Sequence, residues 1–422
     1  LNRLKNEPFL KDYRLWYLLI LELLHMFLPL SWGDDRVFFE KARVMRFPDF
    51  LQGSSRILID ALTYGFAKLP FLWRLLNPLV LLGLTSFLIW LLSLQTNRQK
   101  LCAGILILFP SMALADAGFM ATTLNYLWPF TAGMFAVYSL RAFQPDRVSV
   151  VRIIAALPLL LYAASMQQTA ALLLIVLVLQ LVLAVKDKSA QKSVAATLYL
   201  LITMVAAVFL FYRSFFGENP RFAREAARYF PDFAGLSLFQ RAELGFSATL
   251  HGLTSANLSA LAFLAFCVFL CVMTLRRNHM KRTLKFVSFL PPILTIALVV
   301  FQEFLENTTL WNLLRPPVNA RMSHAAYSFS PLMDILYLGL MGLVLFIALR
   351  LASGNVNRLL AAFVLALGFL LRMMMGFSPT VWASGFRTFF FPIIAMIICA
   401  GFQIKTESAE IIKDRKYKSV FT

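Results

Sequence analysis

Residues 15–36 read Leu15-Trp16-Tyr17-Leu18-Leu19-Ile20-Leu21-Glu22-Leu23-Leu24-His25-Met26-Phe27-Leu28-Pro29-Leu30-Ser31-Trp32-Gly33-Asp34-Asp35-Arg36. An apolar run of near-spanning length ends, almost without a spacer, on two adjacent carboxylates. The run has no small-residue cleavage site behind it and reads as a retained first membrane span, not a removable signal. Two acids side by side repel each other and lose solvation at the edge of a bilayer, so Asp34 and Asp35 are the first candidates for chemistry. The competing reading is that one of them caps a helix beginning at Arg36.

The rest of the chain repeats the theme of apolar runs. With 60% hydrophobic and only 14% charged residues, there is more apolar surface than a soluble core can bury. The class is all-α and polytopic. Runs of spanning length, some broken by proline or glycine, lie at about 15–31, 71–94, 101–117, 126–143, 151–166, 169–185, 194–213, 258–275, 285–302, 333–350, 358–376 and 388–403, about twelve helices in all. The whole of 1–422 is expected to be one integral membrane domain. Its four cysteines, Cys102, Cys267, Cys271 and Cys399, fall inside these runs with no C-x-x-C pair, so they read as buried small hydrophobes.

The net charge of +19 is topology and not a nucleic-acid footprint, because the basic residues are not pooled in one soluble segment. Lys and Arg fill every second loop: Arg3 to Arg14, Arg98 and Lys100, Arg141 to Arg152, Lys186 to Lys192, Arg276 to Lys285, Arg350 and Arg358, and the basic tail 404–422. The positive-inside bias then puts both termini in the cytoplasm, with anionic membrane lipids against these loops. The loops left outside keep about sixteen basic residues, nearly all arginine, whose planar fork grips phosphate bidentately.

The outer segments carry the remaining candidates. In the first, about 32–70, Phe38, Ala42 and Met45 share one helical face and Ile57, Leu58, Leu62 and Phe66 another, with Pro48 and Gly53 between; two amphipathic helices lying in the interface are expected. The second carries Asp116 and Asn125-Tyr126-Leu127-Trp128. Amides beside rings suit a sugar, and an interfacial aromatic belt accounts equally well for Tyr126 and Trp128. The third offers Gln167 and Gln168, whose simplest role is to serve exposed carbonyls at two helix ends.

In the fourth, about 214–257, Asn219 is the expected N-cap of a helix opening on Pro220, with Arg221, Arg224 and Arg228 along one face. The fifth, about 303–332, holds Arg315, Arg321 and His324, the last a candidate base or a hydrogen-bonded structural group. In the last turn, Arg387 follows a Gly/Ser/Pro stretch and Arg372 precedes it, inside a span where charge needs a partner or a wet cavity. No Walker loop, dinucleotide fingerprint or zinc-protease motif is present.

An acidic pair after the first span, arginine-rich outer loops and interfacial helices resemble the GT-C class of membrane glycosyltransferases. More narrowly, Thr123-Leu124-Asn125-Tyr126-Leu127-Trp128-Pro129 and Phe377-Ser378-Pro379-Thr380-Val381-Trp382-Ala383-Ser384-Gly385-Phe386-Arg387 resemble motifs of a bacterial family of uncharacterised membrane proteins related to O-antigen glucosyltransferases. Members of that family often carry a glutamate near the third outer turn, where this chain has Gln167 and Gln168.

The resemblance implies a bacterial inner-membrane enzyme that moves a sugar from a polyprenyl-phosphate donor to a cell-surface glycan or lipid-linked acceptor. Asp34 or Asp35 would then be general base, or would hold a divalent cation such as Mg or Mn. Arg372, Arg387, Arg221, Arg224, Arg315 and Arg321 would grip the donor phosphate, and Asp116, Asn125, Tyr126, Trp128 and His324 the sugar or acceptor. A flippase for a lipid-linked glycan, or a polysaccharide polymerase or ligase, would share the outward face and the arginines.

Overall fold

The structure, a computed structural model, describes residues 12–52, 54–94, 96–113, 117–141, 150–215, 220–304, 327, 329–352 and 355–404. These residues are helical or in turns, and no strand occurs among them. Among the described residues, eight helices are long and apolar enough to cross a membrane: Pro70–Leu92, Gln167–Lys186, Ala190–Arg213, Leu258–Arg276, Arg282–Gln302, Pro331–Leu351, Arg358–Phe377 and Phe386–Ile404. They coincide with eight of the expected runs. The other four runs give shorter helices. The chain divides into two compact units, Leu1–Ala223 and Arg224–Thr422.

In the first unit, α1 (Tyr13–Phe27) is followed by α2 (Gly33–Val44), α3 (Phe47–Leu51), α4 (Ile57–Lys68) and α5 (Pro70–Leu92). Next come α6 (Asn97–Ala113), α7 (Phe119–Thr122), a π-helical turn (Thr123–Leu127), α8 (Trp128–Arg141), α9 (Val150–Ala164), α10 (Gln167–Lys186) and α11 (Ala190–Phe215). The last four helices pack through a core rich in small side chains, with Ala136, Ala163, Ala195 and Ala196 beside Leu160, Leu173 and Tyr199. Alanines at the contact let apolar helices approach closely, which is how packing is gained where lipid offers no hydrophobic contrast. Near the start, the Tyr17 hydroxyl donates to the Gly104 carbonyl at 3.1 Å; a Cβ at position 104 would sit 2.8 Å from the Tyr17 ring.

The expected pair of amphipathic helices is present as α2 and α4, joined by α3 with Pro48 in its first turn. Ala42 and Phe66 are buried as the pattern requires. The packed stripe of α4, however, is Ile59, Thr63 and Phe66, and Ile57, Leu58 and Leu62 stay exposed. Tyr64 decides which side faces in, because its ring meets Phe47 and Phe50 edge-on and its hydroxyl reaches the Met45 carbonyl.

In the second unit, α12 (Pro220–Tyr229), α13 (Leu238–Thr254), α14 (Leu258–Arg276), α15 (Arg282–Val287) and α16 (Leu290–Phe304) precede α17 (Pro331–Leu351), α18 (Asn355–Met373) and a last helix α19 over residues 390–404. Ser237 and Gln240 form a reciprocal capping box at the start of α13, and the Asn257 side chain caps α14 by accepting from Ser259 and Ala260. α13 lies hard against the end of α18. A Cβ on Gly245 would fall 2.0 Å from the Met373 carbonyl oxygen, and one on Gly376 2.1 Å from that of Arg241. Outward faces of the long helices are apolar, as at Val205, Ile293, Ile335 and Leu338.

Candidate functional site

The acidic pair sits in the first turn of α2, which begins at Gly33, three residues before the expected start at Arg36. No side chain caps α2 itself. Asp35 caps a different helix: its Oδ1 accepts from the Ala121 backbone N–H at 2.7 Å and its Oδ2 from Met120 at 3.1 Å. These are amides of the α7 start, so the carboxylate meets both orphan donors and the positive end of that helix. Asp35 therefore caps α7 and not the helix that follows it in sequence.

Two glycines make the approach possible. Gly33 has φ +58, and a Cβ there would fall 2.6 Å from the Ala117 carbonyl oxygen; Gly118 has φ +115, and its Cβ would fall 2.8 Å from the Asp35 carboxyl. Only glycine tolerates both the left-handed backbone and the contact. Asp35 is fully buried. Burial pushes its carboxyl up to about 6, against the opposing pull of the Ala121 and Met120 N–H bonds and with a further push from the Asp34 charge. Asp34, by contrast, is half-buried.

Beyond α7 the chain takes the π-helical turn Thr123–Leu127, and this turn is the amide-and-aromatic motif of the second outer segment. The Trp128 N–H bonds back to the Thr123 carbonyl. In that register the Leu124 carbonyl would be served by residue 129, but Pro129 has no N–H. The Tyr162 hydroxyl takes its place, donating to the Leu124 carbonyl at 2.8 Å.

The flanking rings are tied in as well. Trp73 Nε1 donates to Thr123 Oγ1 at 3.0 Å. Trp128 Nε1 donates to Asn77 Oδ1 at 2.8 Å, with its ring edge-on to Phe66. Asn77 Nδ2 in turn lies 2.8 Å from His25 Nε2, whose Nδ1 faces the Leu21 carbonyl at 2.7 Å. Tyr126 is buried. Both aromatics of the expected sugar subsite are therefore packed against protein.

One residue that the sequence reading did not single out joins three outer segments. Arg56, entering α4, donates from Nε to Gln167 Oε1 at 2.9 Å and from Nη1 to Asn125 Oδ1 at 2.8 Å. Asn125 is oriented from its other side, Nδ2 donating to the Ala121 carbonyl at 2.7 Å. Ala121 thus takes the Asp35 carboxylate on its N–H and the Asn125 amide on its carbonyl. Arg213 from the end of α11 holds the Ser54 carbonyl at 2.9 Å, and the Ser54 hydroxyl receives the Arg56 backbone N–H. Asp35, Arg56, Asn125 and Gln167 are joined in one polar constellation through Ala121 at the ends of apolar helices, with Asp34 beside Asp35 in the chain. Charge-assisted bonds of this kind are the stronger class of hydrogen bond.

In the second unit, Arg372 is buried, its Nη2 donates to the Val381 carbonyl at 3.1 Å, and its guanidinium lies 4.6 Å over the Phe389 ring. Arg387 is half-buried in the 3-10 turn Phe386–Phe389 that supplies this ring. Arg224 is exposed on α12. The backbone of Arg221 is in the same helix, but its side chain lies outside the described set, as do Asp116, Arg315, Arg321 and His324 altogether.

A second group missed by sequence reasoning is Glu243 on α13. It is buried, and both its oxygens are shut from solvent with no hydrogen bond of normal geometry. Burial lifts its carboxyl to about 7; Tyr327 nearby opposes the rise, and Asp334 adds to it. The sequence signal was an acid amid the otherwise small and apolar face Leu244, Gly245, Ser247 and Ala248. Nearby, His251 is edge-on to Trp382 at 5.6 Å, and burial lowers it to about 4. Among the described residues no group of three His, Cys, Asp or Glu is placed to hold a metal ion. The carboxylate pairs that could contribute to such a site are Asp34 with Asp35 and Glu243 with Asp334.

Comparisons with protein-family models, with curated proteins and with solved structures each return no significant match.

Proposed function

We propose that this chain is a membrane glycosyltransferase of GT-C type that takes a sugar from a polyprenyl phosphate and passes it to a glycan or lipid-linked acceptor outside the bacterial inner membrane. The observation that carries the reading is the constellation in the Leu1–Ala223 unit. The Asp35 carboxylate from the first outer segment, a guanidinium from the same segment and amides from the next two close on one another through Arg56 and Ala121, and Asp34 is next to Asp35 in the chain. With α1, α6, α8 and α9 counted as short or interrupted crossings beside the eight long ones, the reading has about twelve spans and both ends in the cytoplasm.

The roles divide by exposure. Asp35 is buried and committed to two backbone donors, so it anchors. Asp34, half-buried on the next residue, is the base: it takes the proton from the acceptor hydroxyl as the acceptor oxygen bonds to the anomeric carbon. The bond from that carbon to the phosphate oxygen breaks in the same step, and the lipid leaves as a phosphate monoester with an added negative charge. Arginine offsets that charge. Arg56 is the guanidinium bonded within the constellation, and Arg372, Arg387, Arg221, Arg224, Arg315 and Arg321 remain the donor-phosphate candidates. Asp116, Asn125 and His324 remain the candidates to orient sugar or acceptor. A divalent cation such as Mg or Mn, if bound by Asp34, would polarise the same phosphate.

The test is release of free polyprenyl phosphate from a panel of polyprenyl-phosphate hexoses by the purified protein in liposomes. Release by the wild type and its loss in Asp34→Asn support the transferase; equal release by both removes it. The buried Glu243 beside Asp334 favours a second reading, proton-linked movement of a lipid-linked glycan, since a buried acid next to another can take up and release the coupled proton. Transbilayer movement of a labelled lipid-linked glycan without cleavage would select that reading. A long glycan on a lipid diphosphate as the only accepted donor would select a polymerase or ligase.

A further inference from the structure

The Arg224–Thr422 unit contains a cavity of about 460 Å³ between the end of α14, the turn into α15, and the junction of α17 with α18. Four basic side chains face it, Arg277, Lys281, Arg350 and Arg358, beside His279 and Thr283, and no Asp or Glu does among the described residues. The volume falls within the roughly 300–1,000 Å³ of small-molecule pockets.

The arginines are held in place without carboxylates at the cavity wall. Arg277 is buried and donates to the Leu351 and Gln403 carbonyls, at the ends of α17 and α19. Arg358 Nε donates to the Ala352 carbonyl at 2.9 Å. The Arg350 guanidinium rests 5.3 Å over the Phe346 ring. Carbonyls and a ring fix these arginines, and Lys281, Arg350 and Arg358 share the cavity with no Asp or Glu lining it among the described residues; several like charges around one hollow are stable when an anion fills it.

The surroundings identify the kind of anion. Leu275, Phe286, Phe346 and Leu359, beside the cationic positions in sequence, are large, apolar and exposed. A soluble anion needs no such surface, whereas an acyl chain does. The Lys and Arg distribution expects this end on the cytoplasmic side, where anionic head groups meet basic clefts between spans.

We propose that this cavity binds the phosphodiester head group of an anionic phospholipid, with the acyl chains along the exposed apolar faces. The site is separate from the acidic constellation of the other unit and does not depend on the transferase reading.

The test is native mass spectrometry of the full chain in detergent, titrated with phosphatidylglycerol or phosphatidylcholine. Preferential retention of phosphatidylglycerol is expected. In Lys281→Gln/Arg350→Gln, two exposed positions whose stems are kept, the apparent Kd for it rises about 30-fold. The charge-keeping Arg350→Lys holds close to wild-type affinity, which separates charge from packing. Equal retention of both lipids, or an unchanged Kd in the double variant, overturns the proposal. Displacement of bound phosphatidylglycerol by millimolar inorganic phosphate alone would overturn the lipid source in favour of a free anion.

Discussion

Asp35→Ala and Asp35→Asn separate a structural carboxylate from a catalytic one. In the wild type both Asp35 oxygens accept backbone N–H groups at 2.7 and 3.1 Å in a site closed to solvent. Alanine leaves two buried donors unpaired at about 1–3 kcal/mol each. It also removes a charge whose burial is costly: a carboxyl moved from 3.8 to about 6 binds its proton about 3 kcal/mol more tightly in the folded state. The two effects oppose each other at neutral pH, so the net change in the Ala variant lies between a gain of about 1 and a loss of about 3 kcal/mol, and the full loss of about 2–6 kcal/mol shows only below about pH 4, where the wild-type carboxyl is protonated in both states. Asparagine keeps one acceptor oxygen and drops the charge, so it should stay within about 1 kcal/mol of wild type.

The sign with pH follows from the raised value. Between 3.8 and about 6 the folded protein holds a proton that the unfolded chain has released, so stability falls as pH rises through that window and is flat above it. The assay is thermal unfolding in detergent followed by tryptophan fluorescence from pH 4 to 8, with the difference between wild type and Asp35→Asn isolating this one group. An Ala variant that melts with the wild type at pH 4, or a wild-type-minus-Asn difference flat from pH 4 to 6, would refute the reasoning. Asp34→Asn, in contrast, should melt as wild type and lose sugar transfer.

Arg56→Ala removes two charge-assisted bonds, worth about 1.5–3 kcal/mol each, and should lower both the melting temperature and transfer. Arg56→Lys, unable to fork to both amides, should recover only part of the stability. Gly118→Ala forces φ +115 on a residue whose Cβ meets the Asp35 carboxyl at 2.8 Å. It is expected to cost at least about 1–3 kcal/mol and to be non-additive with Asp35→Ala in a double-mutant cycle; simple additivity would break the proposed contact. Glu243, raised from 4.5 to about 7 by burial, should withdraw stability as pH climbs through that range. Glu243→Gln should flatten this part of the melting profile, and an unchanged profile in the variant would place the titration elsewhere.

The long helices were legible because spanning length and apolarity are local properties. The interrupted ones were not, for an equally physical reason. The run at about 126–143 reads as one helix by hydropathy, yet it opens inside the π turn Thr123–Leu127, where Pro129 withholds an N–H and the stray carbonyl is met by Tyr162 from α9. Asp35 shows the limit more sharply. Its sequence neighbours make it a cap for α2, and nothing local says that glycines at 33 and 118 let it cap α7 instead.

Arg56 was one arginine among many because its partners lie 69 and 111 positions away. Glu243 was passed over since its burial is set by helices distant in sequence. The residues that sequence reading identified by type, acids and amides at outer helix ends, do meet in the first unit. Which acid remains available for chemistry depended on backbone donors supplied from far along the chain. With both oxygens of Asp35 accepting backbone N–H groups and Asp34 next to it only half-buried, the proposed proton transfer is assigned to Asp34, one residue earlier. That shift is why an Asp34 substitution that spares stability and abolishes transfer is the decisive pairing to seek.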